Sequence, residues 1–123
     1  MTRITEEQVT SWVEGYVRAW ESAEPKDIAA IFANDAESHE WPYETEWIGL
    51  PAIIAGWRER MDWQKDGWSF EWRLLAINGD TFAVQGVGRY VKLGNFDNLW
   101  VGTMNEDGKA AVLRMWNNEI QAP

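Results

Sequence analysis

The sequence predicts an α+β fold in which three N-terminal helices pack on the concave face of a curved antiparallel sheet. Two observations support this fold. Apolar side chains recur at helical spacing in the N-terminal half and at every second residue after Gly67, which is typical of strands. Turn signals at Asn78–Gly79 and Asp107–Gly108 divide the second half into consecutive hairpins. With no internal repeat and no linker, residues 1–123 are expected to form a single domain.

The first helix is predicted over Thr5–Ser22. Thr5 can cap its N-terminus, and Glu6 and Glu7 are favourable near the positive end of the helix dipole. The apolar side chains that follow helical spacing are Val9, Trp12, Val13, Tyr16, Val17 and Trp20. Such a stripe predicts that one face of this helix is buried in the core.

Two shorter helices are predicted next. The second helix begins at Pro25, because proline suits the first turn of a helix. Asn34–Asp35 is expected to end it, and the chain then becomes extended through Glu40. Pro51 opens the third helix. The buried faces of these two helices are expected to contain Ile28, Ile31, Phe32, Ile53, Ile54, Trp57 and Met61.

Four strands are predicted after Gly67. In the first of them, large apolar side chains alternate with Ser69, Glu71 and Arg73. At Asn78–Gly79 we expect a hairpin turn with positive φ at both central positions. The later strands are predicted over Thr81–Val91, Phe96–Met104 and Lys109–Ile120.

Helices packed on one face of a curved sheet form an open-mouthed cone with a cavity between the two layers. Gly86 and Gly88 lie on one face of a predicted strand, where glycine is unfavourable unless something needs the vacated space. One interpretation is a bend or bulge that helps the sheet to curl. The other is room for a ligand, and the two interpretations are compatible.

Composition excludes several classes of function. The net charge of −9 argues against nucleic acid and anionic membranes as partners, because both attract basic surfaces. No apolar run approaches the length of a membrane span, and Met1–Val9 lacks the pattern of a signal peptide, so a cytoplasmic location is expected. Zero cysteines and a single histidine, His39, disfavour a zinc site or a catalytic triad. We therefore expect neither a metal nor a cofactor.

Three segments resemble the NTF2-like (SnoaL-like) superfamily. They are the YVRAW motif at Tyr16–Trp20, the DIAAIFANDA motif at Asp27–Ala36, and Trp47–Gly49 followed by Pro51–Ile54 and Trp57. The similarity runs without gaps from Tyr16 to about Tyr90, and with one short gap to the end. The resemblance implies the cone fold and sheet-to-sheet homodimers. It does not imply one reaction, since the superfamily holds isomerases, cyclases, dehydratases and epoxide hydrolases.

The nearest resemblance is to the ketosteroid isomerase branch, which implies three site residues. Tyr16 falls on the tyrosine that donates to the enolate oxygen, and Glu40, 24 residues later, falls on the aspartate that shuttles the proton. Trp100 falls on a protonated aspartate that is the second oxyanion donor. This position departs from the family, because an indole N–H differs from a carboxylic acid in reach and acidity.

Strand alternation independently predicts that Glu40 faces the cavity, because it shares a face with Ala36 and Ser38. His39 then points the other way. Other side chains on the cavity side are expected to bind a largely apolar ligand, with the two asparagines orienting it. These candidate ligand-binding residues are Trp20, Trp57, Val84, Gly88, Asn98, Met104, Met115 and Asn117.

Each candidate also has a structural interpretation. Glu40 could be a solvated glutamate at the rim of the sheet, and Tyr16 could be a core tyrosine bonded to a backbone carbonyl. The function therefore stays open between an enzyme that transfers a proton through Glu40, a non-catalytic binding module with a tryptophan-rich cavity, and a structural domain filled by its own tryptophans. The convex sheet face, with Val87, Val101 and Trp116 among polar groups, predicts a partner, which the family resemblance implies is a second copy of the chain.

Overall fold

The computed structural model describes residues 3–42, 44–64 and 67–120, so the ends of the predicted domain lie outside the described residues. These ranges contain three α-helices, one short 3-10 helix over Met61–Gln64, and six strands. The helices are α1 (Glu6–Ser22), α2 (Pro25–Ile31) and α3 (Leu50–Glu59). The strands are β1 (Phe32–Trp41), β2 (Thr45–Ile48), β3 (Trp68–Asn78), β4 (Thr81–Tyr90), β5 (Gly94–Met104) and β6 (Ala110–Ile120). No helix among them is long and apolar enough to cross a membrane.

All six strands form one curved sheet in the order β2-β1-β6-β5-β4-β3. The predicted antiparallel sheet is corrected in one respect, because β1 pairs with β6 in parallel and the sheet is mixed. Strand β2 was not predicted, and it returns antiparallel to β1 at the edge of the sheet. Neither feature has a local signal. The direction of β1 relative to β6 depends on a partner far along the chain, and β2 is a short edge strand with little apolar alternation.

The capping of α1 confirms the predicted N-terminus. Thr5 Oγ1 accepts a hydrogen bond from the Gln8 backbone N–H at 3.2 Å, and Gln8 Oε1 accepts one from the Thr5 backbone N–H at 2.8 Å. This reciprocal capping box satisfies two otherwise unpaired donors. Ala23 ends the helix in the left-handed conformation. Five members of the predicted apolar stripe are buried, and Val17 is half-buried.

Two predicted boundaries are wrong. Helix α2 ends at Ile31, and Asn34 and Asp35 lie within β1, where its register with β6 is irregular. Phe32 at the C-cap is already extended, so the buried strand begins before the polar pair. Met61 was expected on the buried face of α3 but lies beyond that helix and is exposed. Because the chain passes into a 3-10 turn there, the α-helical spacing no longer applies.

All three predicted hairpins are present, because β3, β4, β5 and β6 pair antiparallel in sequence order. In the first, Asn78 still belongs to β3 and pairs with Thr81, so the two-residue loop is Gly79–Asp80, one residue later than predicted. Only Gly79 of this pair has positive φ, at 64°. The position of Gly79 in the loop therefore sets the register between β3 and β4.

The glycines of β4 and β5 accommodate aromatic rings. A methyl group at Gly86 would lie 2.3 Å from the Phe70 ring, and one at Gly102 would lie 2.5 Å from the Phe82 ring. The register of β4 with β5 is continuous through Gly86 and Gly88, so the bulge interpretation is wrong at these two positions. The space vacated at Gly86 is filled by the Phe70 ring rather than left for a ligand.

Helix α1 covers the concave face of the sheet through Trp12, which packs among other aromatic rings of the core. Its ring centroid lies 5.4 Å from Phe82 and 6.2 Å from Trp100, and its Nε1 donates to the Ile31 carbonyl at 2.8 Å. The core is therefore closed at this end of the cone. The opposite end contains the cavity.

Candidate functional site

A cavity of about 500 Å³ lies between the concave sheet face and the helices. This volume is within the usual range for small-molecule pockets. Its wall is mainly aromatic, with a few polar groups. The lining residues are Tyr16, Trp20, Glu40, Arg60, Trp63, Trp68, Phe70, Tyr90, Leu93, Phe96, Asn98, Trp100, Met115, Asn117 and Glu119.

The structure brings all three candidate catalytic residues to this wall: Tyr16 from α1, Glu40 from β1 and Trp100 from β5. Four of the eight candidate ligand-binding residues accompany them, namely Trp20, Asn98, Met115 and Asn117. Helical spacing placed Tyr16 and Trp20 on the buried side of α1, and strand alternation placed the other five on the concave face of the sheet. Whether any of them contacts a ligand stays a prediction.

The other four candidates lie behind the wall. Trp57 packs edge-on against Tyr16, with ring centroids 4.9 Å apart. Val84 and Met104 are buried in the aromatic core near the closed end. Gly88 packs beneath two wall residues. A methyl group added there would lie 3.3 Å from the Tyr90 ring and 3.4 Å from Asn98 Nδ2.

Glu40 forms an ion pair that the sequence did not predict. Its Oε2 accepts a hydrogen bond from Arg60 Nη1, and Arg60 Nη2 donates to Thr45 Oγ1 at 3.0 Å. Thr45 lies directly opposite Glu40 in the β1–β2 ladder. The Glu40 and Arg60 side chains are only 10% and 13% exposed. Glu40 is therefore an enclosed, ion-paired carboxylate rather than a solvated glutamate at the rim.

Two tryptophans hold the Arg60 guanidinium in place. Its central carbon lies 4.5 Å from the ring centroid of Trp47 and 4.5 Å from that of Trp63. Such cation–π contacts strengthen when the cation is removed from water. An arginine immediately after a helix resembles any solvated cation in sequence. Only the neighbouring Trp57 and Trp63 could have indicated an enclosed position.

The Tyr16 phenol is kept protonated by its surroundings. Burial raises its pKa well above the ordinary value, and the nearby Glu40 charge raises it further. The Arg60 charge opposes these effects. A phenol in this state donates a hydrogen bond without losing its proton at neutral pH.

Tyr90 is a second phenol at the cavity, and the sequence did not assign it to the site. Burial is the main cause of its raised pKa, and the Glu40 charge adds to it. The indole N–H groups of Trp20 and Trp68 lower this pKa from positions near the phenol, although neither makes a hydrogen bond of standard geometry. Tyr90 is therefore also a neutral donor.

His39 lies on the opposite face of β1, as predicted. Its Nε2 is 3.1 Å from Glu37 Oε1, its Nδ1 is 3.7 Å from Glu46 Oε2, and its ring stacks on Trp41. Within residues 3–42, 44–64 and 67–120, no group of three or more His, Cys, Asp or Glu side chains is placed to hold a metal ion.

A cone of three helices on a curved mixed sheet, with an aromatic cavity at its open end, defines the NTF2-like class of α+β proteins. Within that class, the profile of the SnoaL-like domain matches residues 13–117, and the chain belongs to this family. No protein of curated function matches the sequence.

Solved structures share the fold at low sequence identity. A protein of unknown function with a cystatin-like fold from Methylobium petroleophilum PM1 has a TM-score of 0.76 and 13% identity, covering 98% of this chain and 82% of that one. A SnoaL-like protein of unknown function from Burkholderia thailandensis E264 has a TM-score of 0.74 and 19% identity, with coverages of 94% and 98%. A protein from Kribbella flavida DSM 17836, provisionally assigned as a ketosteroid isomerase, has a TM-score of 0.72 and 16% identity, with coverages of 95% and 82%.

Proposed function

We propose that this protein is a small-molecule enzyme in which Glu40 transfers a proton on an apolar, carbonyl-bearing ligand, as an isomerase, cyclase or lyase. One observation carries the proposal. Tyr16 and Glu40 come from different elements to one cavity wall, close enough that the Glu40 charge contributes to the raised pKa of Tyr16. A carboxylate beside a neutral phenol is an acid–base arrangement suited to enolate chemistry.

In the proposed step, the Glu40 carboxylate takes a proton from the carbon next to the ligand carbonyl. The electrons of the broken C–H bond form a C=C bond, and the carbonyl oxygen becomes an enolate oxygen. Tyr16 donates a hydrogen bond to that oxygen, and Trp100 Nε1 is the candidate second donor. Glu40 then returns the proton to another carbon, so the step needs no oxidant or reductant.

Arg60 would fix the base in this mechanism. Its guanidinium binds Glu40 Oε2 and is itself held by Thr45 and two indoles, which limits the rotation of the carboxylate. Oε1 would therefore take the proton. The ion pair also supports a second candidate function, a non-catalytic binding module, because a carboxylate that is already paired can be a purely structural group.

The family supports proton-transfer chemistry only in general terms. The ketosteroid isomerase assignment belongs to the Kribbella protein, and an identity of 16% carries the fold and not the reaction. The residues that carry the proposal are therefore those of this chain.

Hydrogen–deuterium exchange at the carbon next to a carbonyl tests the proposal without knowledge of the product. A panel of small cyclic ketones would be incubated with the protein in D₂O and followed by NMR. Glu40→Gln should slow the catalysed exchange by about 10²–10⁴-fold. Tyr16→Phe should slow it by about 10²–10³-fold.

Glu37→Gln is the matched control, since it removes a carboxylate from the same strand on the opposite face. It should leave the exchange rate unchanged. Unchanged exchange in both Glu40→Gln and Tyr16→Phe would refute the proposed mechanism. A ketone that binds saturably but exchanges no faster than in buffer would favour the binding module.

A homodimer through the convex sheet face is part of the proposal. Exposed apolar side chains on that side include Trp41, Leu99 and Trp116. An apolar patch of this kind favours a protein partner, and a twofold contact with a second copy is the common solution. Sedimentation of the wild-type chain and of Trp116→Glu would test it, and a wild-type monomer at high concentration would contradict it. The cytoplasmic location stays a prediction from the sequence.

A further inference from the structure

The cavity is buried at its base and accessible at its rim. Met115 at the base is 5% exposed, whereas the lining residues Trp63 and Leu93 are half-buried. Trp63 lies on the 3-10 helix Met61–Gln64, which we call the strap. Leu93 lies in the turn over residues 91–93, between β4 and β5. The strap and this turn therefore form part of the cavity mouth.

The strap is weakly anchored compared with the three α-helices. Each α-helix contributes buried residues to the core, whereas no residue of Met61–Gln64 is buried. A 3-10 helix also has poorer hydrogen-bond geometry than an α-helix. Segments with few buried contacts open at a much lower free energy than the whole protein unfolds. The strap can therefore be displaced while the core stays folded.

Two side-chain contacts join the strap to other elements at the mouth. Asp62 forms an ion pair with Lys92 of the neighbouring turn, and Gln64 Nε2 donates a hydrogen bond to the Trp20 carbonyl oxygen of α1. The Lys92 and Asp62 side chains are 40% and 64% exposed, so water and salt weaken their attraction. Neither contact has to be broken against the packing of the core.

A further contact links the strap to the candidate catalytic base. The Arg60 guanidinium lies 4.5 Å from the ring centroids of both Trp63 and Trp47, and it binds Glu40. When the strap is displaced, Trp63 leaves one side of the guanidinium and water takes its place. Cation–π and charge–charge attraction are both weaker in water than in an enclosed site. The position of the strap and the enclosure of Glu40 therefore change together.

We infer that the strap opens and closes the mouth of the cavity, and that Trp63 encloses the Glu40–Arg60 pair only when the strap is closed. The exposed Asp62–Lys92 pair makes the opening sensitive to salt. The inference rests on the proposed function only in that the strap covers the same cavity, and it requires no proton transfer. It names a conformational control of the site, whereas the proposed function names the chemistry.

Alkylation of a cysteine inside the cavity would measure the opening. The chain has no cysteine, so Met115→Cys introduces a single thiol at a buried lining position. Its reaction with iodoacetamide, a small uncharged reagent, would be followed by mass spectrometry. When reclosing is faster than alkylation, the rate is proportional to the population of the open state.

In this background, Lys92→Gln should speed alkylation by about two- to fivefold, because it removes an exposed ion pair of the closed strap. Gln64→Met should speed it by about two- to tenfold, because it removes a hydrogen bond and nearly keeps the side-chain volume. About 1 M NaCl should speed alkylation while Lys92 is present, and should have no such effect in Lys92→Gln.

Arg89→Gln is the matched control, since it breaks an exposed ion pair with Glu71 on the convex face. It should leave the alkylation rate unchanged. Equal acceleration by Arg89→Gln and Lys92→Gln would overturn the inference, because the thiol would then react through a general loss of stability. Unchanged alkylation in both Lys92→Gln and Gln64→Met would overturn it as well.

Hydrogen exchange gives a second measurement that needs no cysteine. The Trp63 backbone N–H donates to the Arg60 carbonyl oxygen at 2.9 Å. By NMR, Lys92→Gln should speed exchange of the Trp63 amide proton and of the Arg60 guanidinium protons by the same factor, whereas Arg89→Gln should speed neither. Faster exchange at Trp63 with unchanged exchange at Arg60 would overturn the inference, because the strap would then move without exposing the ion pair.

Neither measurement depends on catalysis. Faster alkylation in the strap variants, without any catalysed deuterium exchange of a ketone, would sustain the inference while refuting the proposed enzyme. Catalysed exchange of a ketone with unchanged alkylation in those variants would do the reverse.

Discussion

The two faces of the sheet use the same side-chain types in opposite ways. On the concave face, Trp100 is 2% exposed and stacks on Phe70 within the cavity wall. On the convex face, Trp116 is 36% exposed and stacks on Trp41 with ring centroids 5.0 Å apart. The ion pairs differ in the same way. Glu40 and Arg60 are enclosed, whereas the Glu71 and Arg89 side chains are 77% and 50% exposed, with a separation of 3.6 Å.

The two faces of the sheet differ in their exposure to solvent more than in their residue types. Leu99 and Trp100 are consecutive, as are Met115 and Trp116, and strand alternation alone assigns each to its face. Once a side chain is enclosed, its indole N–H, phenol or carboxylate must find a partner within the protein or in a ligand. On the convex face of a single chain, water satisfies the same groups. Chemical function is therefore expected on the concave side.

The largest contrast should appear when one indole is removed from each face. Trp100→Ala should destabilise the protein by about 3–5 kcal/mol, because it leaves a cavity in the aromatic core. At protein concentrations where the chain is monomeric, Trp116→Ala should cost about 1 kcal/mol, the value of one stacked pair. Urea denaturation at such concentrations gives both free energies of unfolding. Similar losses for the two variants would mean that the convex stack is buried within the monomer.

The second-largest contrast should be between the stabilities lost when each ion pair is broken. Arg60→Gln leaves Glu40 enclosed without its cation and should lower the free energy of unfolding by about 3 kcal/mol. Arg89→Gln should cost less than about 1 kcal/mol, since both partners are exposed. Adding Glu40→Gln to Arg60→Gln should recover part of the loss, because no unpaired charge then remains. A double variant that is no more stable than Arg60→Gln would contradict this explanation.

The glycines of β4 should respond unequally although both point to the concave side. Gly86→Ala should destabilise by about 1–3 kcal/mol, because its methyl group would lie 2.3 Å from the Phe70 ring and 2.9 Å from the Glu71 carbonyl oxygen. At Gly88 the nearest atom is 3.3 Å away, so Gly88→Ala should change stability by less than about 1 kcal/mol. Thermal or urea unfolding of the pair measures the difference, and an equal cost would show that Phe70 moves freely.

The last expected effect is on the pH dependence of stability, and it is absent at neutral pH. The pKa values of Tyr16 and Tyr90 are raised in the folded state, so their contribution is fully present below about pH 10, the unfolded value. Above that pH the unfolded chain loses protons that the folded chain keeps. Each phenol should then lower the free energy of unfolding by about 1.4 kcal/mol per pH unit, until its own raised pKa is reached.

Urea denaturation at several alkaline pH values would measure this slope. Tyr16→Phe should remove the contribution of one phenol, so the free energy of unfolding should fall less steeply with pH. An unchanged slope would show that the Tyr16 phenol is solvated in the folded protein.

Sequence reasoning recovered those parts of the site that local periodicity controls. Helical spacing placed Tyr16 and Trp20 on the buried face of α1, and alternation placed Glu40, Asn98, Trp100, Met115 and Asn117 on the concave face. It missed Arg60 because its burial depends on Trp47, Trp63 and Glu40, which lie on other elements or turns. It also placed Trp57 and Met104 at the cavity, although facing inward does not distinguish the cavity from the closed core.

The amino-acid sequence by itself determined the helices, the four-strand meander, the inward-facing side chains and the membership of the cone fold, because these depend on spacing between near neighbours. The tertiary structure alone decided the parallel pairing of β1 with β6, the filling of Gly86 by Phe70 and the Glu40–Arg60 ion pair. Each of these joins side chains or strands that are distant along the chain. Their distances and their exclusion of water are set only when the sheet and the helices have packed together.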